Sequence, residues 1–196
     1  MSGLLAHVGD LDLCRRVNIL IVSDGYLVNW MAARRRVVKL ESLETYRDIF
    51  DRLEREGVRY VGIGGAAVVL HGRARPVADL DLVIDPAPEE CERALRALIR
   101  AGFVPSLPLP LSMLTVLRLF DRAGREVDLF VRYQIPFAEL WAASERRCLG
   151  GVAARVMSLE HLLLTKRLDG RPRDLLDLDG LLALHAGGGP KEEPAE

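Results

Sequence analysis

The chain has 196 residues, of which 49% are hydrophobic and 28% are charged. This composition is that of an ordinary globular protein with room for one good-sized core. The formal net charge of −1 gives no overall attraction to nucleic acid or to a membrane surface, so any nucleic-acid contact must come from a local basic patch.

The cysteine pattern and the hydropathy argue against several further classes of protein. Cys14, Cys91 and Cys148 are far apart, odd in number and without a CxxC pair, which argues against a disulfide framework and against a zinc site. No apolar run approaches the roughly 20 residues that span a bilayer, and residues 17–22 are too short a run for a signal-peptide core. We therefore expect a cytoplasmic protein with no membrane partner.

Residues 1–42 are an N-terminal extension of uncertain structure. It contains the strand-like stretch VNILIV and the basic run Arg34, Arg35 and Arg36. That run is either a phosphate-binding arm or a solvated loop. Met31 is a second possible start, which would make the preceding residues a mistranslated leader.

The main domain, residues 43–186, begins with an amphipathic helix. Ser42 is a suitable N-cap, apolar residues follow at helical spacing, and Gly57 ends the pattern. The strand VRYVGI comes next, followed by Gly64 and Gly65 before the apolar run AAVVL. Two glycines at a helix start let backbone N–H groups approach a phosphate, although a tight strand-to-helix turn needs the same glycines without any ligand.

The next strand, DLDLVID, carries two carboxylates one residue apart. Because side chains alternate across a strand, Asp79 and Asp81 point to one face while Leu80 and Leu82 point to the other. Two like charges so close together are unfavourable unless a cation or a shared proton compensates them. The pattern therefore predicts a divalent metal with a phosphate ligand beside this strand.

The remaining elements complete an α/β (α+β) chain. After a helix over residues 86–102 and the proline-rich loop PSLPLPLS, the strands MLTVLRLF and EVDLFV form an antiparallel hairpin that turns at Gly124. A helix over residues 136–148, the strand GVAARVM and two further helices follow. We expect a small mixed sheet flanked by helices, a helical C-terminal portion, and a disordered tail over residues 187–196.

A third carboxylate lies in the hairpin. Asp128 is in the middle of EVDLFV, where an aspartate disfavours the strand. It is either the third carboxylate of a two-metal site or a solvent-facing strand residue.

At this point the sequence resembles a known family. The order GG, HG, RxRP, DLDLVID and VDLF is similar to the nucleotidyltransferase fold of the DNA polymerase beta superfamily, in particular to small bacterial proteins related to the AbiEii toxins. The C-terminal segment SLEHLLLTKRLDGRPRDLLDLDGLL resembles the corresponding segment of that group. The resemblance covers residues 43–184.

The resemblance implies a magnesium site and a nucleotide site. Asp79 and Asp81 would hold Mg²⁺, and Asp128 would be the third metal-binding carboxylate, which helps to activate the acceptor hydroxyl. The implied nucleotide contacts are Gly64, Gly65, Arg75, Lys166 and Asp174. Arg73 joins them on chemical grounds, because arginine forks suit phosphate oxygens.

Several of these residues have structural alternatives. Lys166 near the end of one helix and Asp174 in the first turn of the next are also favourable against the helix dipoles alone. Asp177 is expected on the same helical face as Asp174, and His71 is either a turn cap or a phosphate contact. The family usually has threonine where Val77 stands here.

The implied function is Mg²⁺-dependent transfer of an NMP from an NTP to an RNA (tRNA) or protein hydroxyl, in a toxin–antitoxin setting with a cognate toxin or antitoxin as partner. A small molecule such as an aminoglycoside is another acceptor class. The alternatives are a catalytically silent module of the same fold that binds nucleotide or a partner protein, and phosphohydrolase chemistry on the same metal pair.

Overall fold

The computed structural model describes residues 19–21, 27–29 and 42–186. The chain divides into two compact units, Met1–Val38 and Lys39–Glu196. In the first unit, strands β1 (Ile19–Ile21) and β2 (Leu27–Asn29) pair in antiparallel fashion, and β1 lies within the predicted VNILIV strand.

Three expectations lie outside the described residues. They concern the arginine run at residues 34–36, the second start at Met31 and the tail over residues 187–196.

In its described part, the second unit contains six α-helices and seven strands. In chain order they are α1 (Arg47–Arg55), β3 (Tyr60–Gly62), α2 (Gly64–Leu70), β4 (Leu80–Ile84), α3 (Pro88–Arg100), β5 (Val104–Pro105), β6 (Val116–Phe120), β7 (Glu126–Phe130), α4 (Phe137–Ala143), β8 (Glu145–Leu149), β9 (Val152–Val156), α5 (Leu159–Asp169) and α6 (Pro172–Ala186). Two 3₁₀ turns, Leu43–Tyr46 and Leu111–Met113, precede α1 and β6.

Strands β3 to β9 form one mixed sheet in the order β5-β6-β7-β4-β3-β9-β8. The central strand β4 is antiparallel to β3 on one side and parallel to β7 on the other, and β6 and β7 form the predicted antiparallel hairpin. The expected α/β class with a mixed sheet is therefore confirmed.

Helices cover both faces of the sheet. On one face, α1 packs on β9 and α3 packs on β4, with the ring centroids of Phe50 and Tyr60 5.9 Å apart. On the other face, a buried cluster joins Val61 and Val83 to side chains of α2, α4, α5 and α6, including Leu162 and Leu181. The helical C-terminal portion is thus packed on the sheet face that also bears Asp81.

Side-chain caps place two of the helical segments as the sequence predicts. The hydroxyl of Ser42 accepts a hydrogen bond from the Glu44 N–H at 3.4 Å, and that of Ser158 accepts one from the His161 N–H at 3.2 Å. Gly170, with φ +59°, ends α5 in the left-handed conformation that glycine adopts at low cost.

The predicted helix over residues 136–148 is wrong beyond Ala143. There α4 ends, Ser144 is extended, and the next five residues form strand β8, which pairs with β9. The physical reason is the turn Gly150–Gly151: both glycines have positive φ (53° and 82°), as the two central residues of a type I′ hairpin turn require.

The proline-rich segment is neither a helix nor a central strand, as expected, but it is not wholly irregular. Pro105 belongs to the two-residue edge strand β5, where a missing N–H is tolerated. In the described part of the chain, no helix combines the length and the apolar character needed to cross a bilayer.

Candidate active site

Three aspartates converge at the centre of the sheet. In the parallel pair β4 and β7, Asp81 lies directly opposite Asp128, and Asp79 immediately precedes β4. One carboxylate oxygen from each of the three lies within 4.8 Å of the others. Leu80 and Leu82, on the opposite face, are fully buried. The alternation of side chains therefore predicted correctly that Asp79 and Asp81 share a face of the sheet. The register between β4 and β7 adds Asp128 to the cluster.

The three carboxylates repel one another in a partly dehydrated setting. Burial, followed by the charges of Asp79 and Asp128, raises the pKa of Asp81 to about 7. Burial and the charge of Asp128 likewise raise the pKa of Asp79. Oxygen ligands of this kind suit Mg²⁺, and a bound cation would relieve the repulsion that raises these pKa values, so the donor set fits the ion that the resemblance implies.

An arginine that the sequence reasoning missed occupies the same cluster. Arg118 on β6 lies opposite Asp128, and its Nε and Nη2 groups donate to the two oxygens of Asp128 at 2.7 and 2.5 Å. The hydrogen bond to Asp128 raises the pKa of Arg118. The sequence signal that could have revealed Arg118 is strand pairing: residues directly opposite each other in the β6–β7 hairpin lie on the same face of the sheet, as Arg118 and Asp128 do.

The two glycines make room for the charged groups of the site. Gly64 has φ +57°, and a Cβ on it would collide with Oδ2 of Asp81. A Cβ on Gly65 would lie 3.3 Å from Nη2 of Arg75 and 3.3 Å from Cγ1 of Val77. The N–H of Ile63, the residue before α2, donates to the carbonyl oxygen of Asp81 at 3.0 Å. Close packing against the carboxylate strand thus requires a glycine at Gly64 and leaves little space for a side chain at Gly65.

The predicted basic and acidic residues of the C-terminal segment pair with one another. Nζ of Lys166 lies 2.5 Å from Oδ1 of Asp174 and 3.1 Å from Oδ2 of Asp177. Although burial opposes it, hydrogen bonds from Lys166 and Arg75 lower the pKa of Asp177. Asp174 and Asp177 do share a helical face, as expected, since both pair with Lys166.

The loop before β4 joins this ion cluster. Nη2 of Arg75 donates to Oδ2 of Asp177 at 3.0 Å, and Nε of Arg73 donates to Oδ1 of Asp177 at 3.2 Å. A Cβ on Gly180 would collide with the Arg73 guanidinium, so Arg73 packs directly on α6. Both arginines therefore tie the loop to α6, and a nucleotide-binding role for either stays a prediction.

The His71 ring does not cap its own turn but bonds to a distant backbone carbonyl. Its ring is buried, and Nε2 lies 2.8 Å from the carbonyl oxygen of Met157. Burial lowers the pKa of His71, which favours the neutral form that donates to this carbonyl.

The carboxylates open into a cavity of about 810 Å³, a volume within the range of small-molecule sites. Most of the predicted site residues line it: Gly64, Gly65, Arg75, Lys166 and Asp174, together with the three aspartates. Arg118, Arg132, Tyr133 and Arg173 line it as well and were not predicted.

Comparison with known proteins identifies the fold. No protein-family model matches the sequence, and no curated protein matches it. Solved structures do match. The lincosamide antibiotic adenylyltransferase LnuA, in its lincomycin-bound form, is similar with a TM-score of 0.58 at 18% identity, over 74% of this chain and 99% of LnuA.

Two further structures are similar. One is an antigenic nucleotidyltransferase-like protein from Paracoccidioides brasiliensis, with a TM-score of 0.55 at 20% identity over 74% of this chain and 78% of that one. The other is a putative nucleotidyltransferase from Thermotoga maritima, with a TM-score of 0.52 at 20% identity over 72% and 92% of the two chains. The chain therefore has the nucleotidyltransferase fold, while the resemblance to AbiEii-related proteins stays a prediction.

Proposed function

We propose that this protein is a Mg²⁺-dependent nucleotidyltransferase that moves an NMP from an NTP to an acceptor hydroxyl. The observation that carries the proposal is the convergence of three carboxylate oxygens within 4.8 Å in an open cavity next to Gly64 and Gly65. Carboxylates in such an arrangement are unfavourable unless a cation or a shared proton compensates them, and the adjoining cavity has room for a nucleotide.

Asp79 and Asp81 would hold the ion. When bound, Mg²⁺ would neutralise triphosphate charge and polarise the phosphoryl oxygens. Gly64 and Gly65 line the cavity, where the phosphates would approach the backbone at the start of α2.

Asp128 would act on the acceptor. Its carboxylate would accept the proton of the acceptor hydroxyl while the hydroxyl oxygen bonds to the α-phosphorus. The bond from that phosphorus to the bridging oxygen breaks at the same centre, and pyrophosphate leaves. Lys166 and Arg75 line the cavity, where their charge would favour the triphosphate.

For the acceptor we propose an RNA (tRNA) or protein hydroxyl, in the cytoplasm and in a toxin–antitoxin setting with a cognate partner protein. This choice rests on the resemblance to AbiEii-related proteins. The structural likeness to an antibiotic adenylyltransferase supports a small-molecule acceptor as the competing class.

The direct test is incubation with α-labelled NTPs, Mg²⁺ and total tRNA, followed by separation of labelled acceptor and pyrophosphate. Transfer should occur with the native protein and be lost in Asp79→Asn and in Asp81→Asn. Asp51→Asn is the matched control, because Asp51 is a surface aspartate of α1 paired with Arg55. Transfer that persists in both site variants would falsify the proposed metal site, and phosphate release without labelled acceptor would indicate hydrolase chemistry.

One observation favours a second candidate, the catalytically silent module. Both oxygens of Asp128 are already engaged by Arg118, so the carboxylate that would accept the proton has a fixed cationic partner. Such a module would bind labelled NTP in equilibrium dialysis and yet release no pyrophosphate with any acceptor fraction.

A further inference from the structure

Arg118 is surrounded by the acidic groups of the site. Beyond the two bonds to Asp128, its Nη1 donates to Oε2 of Glu126 at 3.1 Å, and its Nη2 lies 3.7 Å from Oδ2 of Asp79. The guanidinium therefore contacts two of the three site aspartates at once. A guanidinium stays protonated at any working pH, so this positive charge is permanent.

The position of this charge is fixed by the sheet. Arg118 and Asp128 are directly opposite each other in the β6–β7 ladder, and the guanidinium meets the carboxylate in a two-bond fork. The Asp128 side chain is 9% exposed, against 36% for that of Arg118. The buried carboxylate is thus oriented by a cation that reaches it from the solvent side.

This arrangement bears on how many metal ions the site can hold. In two-metal phosphoryl-transfer sites the ions lie about 3.5–4 Å apart. A second ion on Asp128 would have to bind beside a guanidinium that already uses both carboxylate oxygens. One divalent ion together with Arg118 carries as much positive charge as the three site aspartates carry negative charge when ionised. Even with Glu126 counted as a fourth carboxylate, two divalent ions and Arg118 would leave an excess of positive charge.

We propose that Arg118 takes the place of a second metal ion at Asp128, so that the site holds a single divalent ion, on Asp79 and Asp81. The inference rests on the proposed function, which it deepens: Asp128 is left as the oriented proton acceptor rather than as a metal ligand. Arg118 is a positioning residue, since it acts through Asp128.

The test counts Mn²⁺ bound to the full chain, without nucleotide, from the loss of the free-ion signal in electron paramagnetic resonance. The native protein should bind one Mn²⁺ per chain, and Asp128→Asn should leave that count unchanged. Arg118→Gln, which keeps a polar side chain but is shorter than arginine and removes the charge, should raise the count to two. The double variant Arg118→Gln/Asp128→Asn should return it to one.

Arg132→Gln is the matched control, because Arg132 is an exposed arginine that lines the same cavity, and its count should stay at one. Arg118→Lys keeps a positive charge and should also bind one ion. Circular dichroism and thermal melting establish that each variant is folded. Should Arg118→Gln fail to fold, Asp128→Asn alone still decides the question, because loss of the ion in that variant overturns the inference.

Two ions on the native protein, with Arg118→Gln unchanged, would also overturn it while leaving the proposed function intact. Failure of the proposed function has a different signature. In that case, either Asp79→Asn and Asp81→Asn would bind Mn²⁺ as the native protein does, or no ion would bind to the native protein or to any variant. Either result overturns the inference as well.

Discussion

Gly64 lies so close to Asp81 that no side chain fits between them. A Cβ on Gly64 would overlap Oδ2 of Asp81, and the backbone at Gly64 has φ +57°. Gly64, the first residue of α2, and the carboxylate of Asp81 are therefore in direct contact, and a side chain added at Gly64 would displace the carboxylate.

Replacing Gly64 with alanine should consequently damage both fold and site. The positive φ costs an L-residue about 1–2 kcal/mol, and the collision with Asp81 adds about 1–3 kcal/mol of strain. Gly57→Ala is the control, since Gly57 has φ +63° but nothing lies within 4 Å of its Cβ position. Urea unfolding should show a larger loss for Gly64→Ala, together with weakened Mn²⁺ binding. Equal losses in the two variants would contradict the packing argument.

Magnesium should stabilise the folded protein through Asp79 and Asp81. An ion at about 100 times its dissociation constant contributes about 2.7 kcal/mol to the free energy of unfolding. Asp79→Asn should have a higher melting temperature than the native protein in EDTA, because it removes like-charge repulsion, and should gain little from Mg²⁺. The comparison requires melting curves of both proteins with EDTA and with Mg²⁺. A native melting temperature that Mg²⁺ leaves unchanged would argue against the site.

Without metal, the protonation of Asp81 should make stability depend on pH. The folded-state pKa of Asp81 is raised to about 7 from the ordinary 3.8, so the folded state binds the proton more tightly than the unfolded state. The stabilising effect of that proton is complete below about 3.8 and is lost as pH rises through about 7. The urea midpoint in EDTA should therefore fall between about pH 5.5 and about pH 8. The fall should be larger in the native protein than in Asp81→Asn. Parallel pH profiles for the two proteins would refute the assignment.

The ion cluster around Lys166 should contribute strongly to stability. Lys166 is 7% exposed and Asp174 is 4% exposed. Removing the ammonium leaves Asp177 with Arg73 and Arg75, but leaves the buried Asp174 dependent on the exposed Arg171. Lys166→Met should cost about 3–5 kcal/mol in urea unfolding. Arg171→Ala breaks the pair of an exposed arginine with Asp174 and should cost less than about 1 kcal/mol. Comparable losses in the two variants would mean that burial does not govern this cluster.

Local patterns in the sequence were sufficient to predict much of the fold. Alternation placed Asp79 and Asp81 on one face, and the caps at Ser42 and Ser158 located two helical starts. These features depend on residues near one another in the chain. The strand β8 was missed because the polar sequence ERRCL has little apolar alternation, while the Gly150–Gly151 hairpin turn that defines it was not recognised.

Long-range pairing could not be predicted in the same way. The register that sets Asp81 against Asp128 joins strands separated by α3 and the β5–β6 region, and no local pattern specifies it. Arg118 became a site residue only through the β6–β7 ladder. Arg73 is predicted to contact a phosphate, and that role stays a prediction; its pairing with Asp177 was not foreseen, because it depends on α6 packing beside the loop.

The most direct test of the account is the anomalous diffraction of a crystal soaked in Mn²⁺. The account predicts one strong anomalous peak within coordination distance of carboxylate oxygens of both Asp79 and Asp81, with Asp128 still held in the fork of Arg118. A crystal with no peak at the three aspartates, or with its peak on other residues, would contradict the central claim that these carboxylates form a metal site.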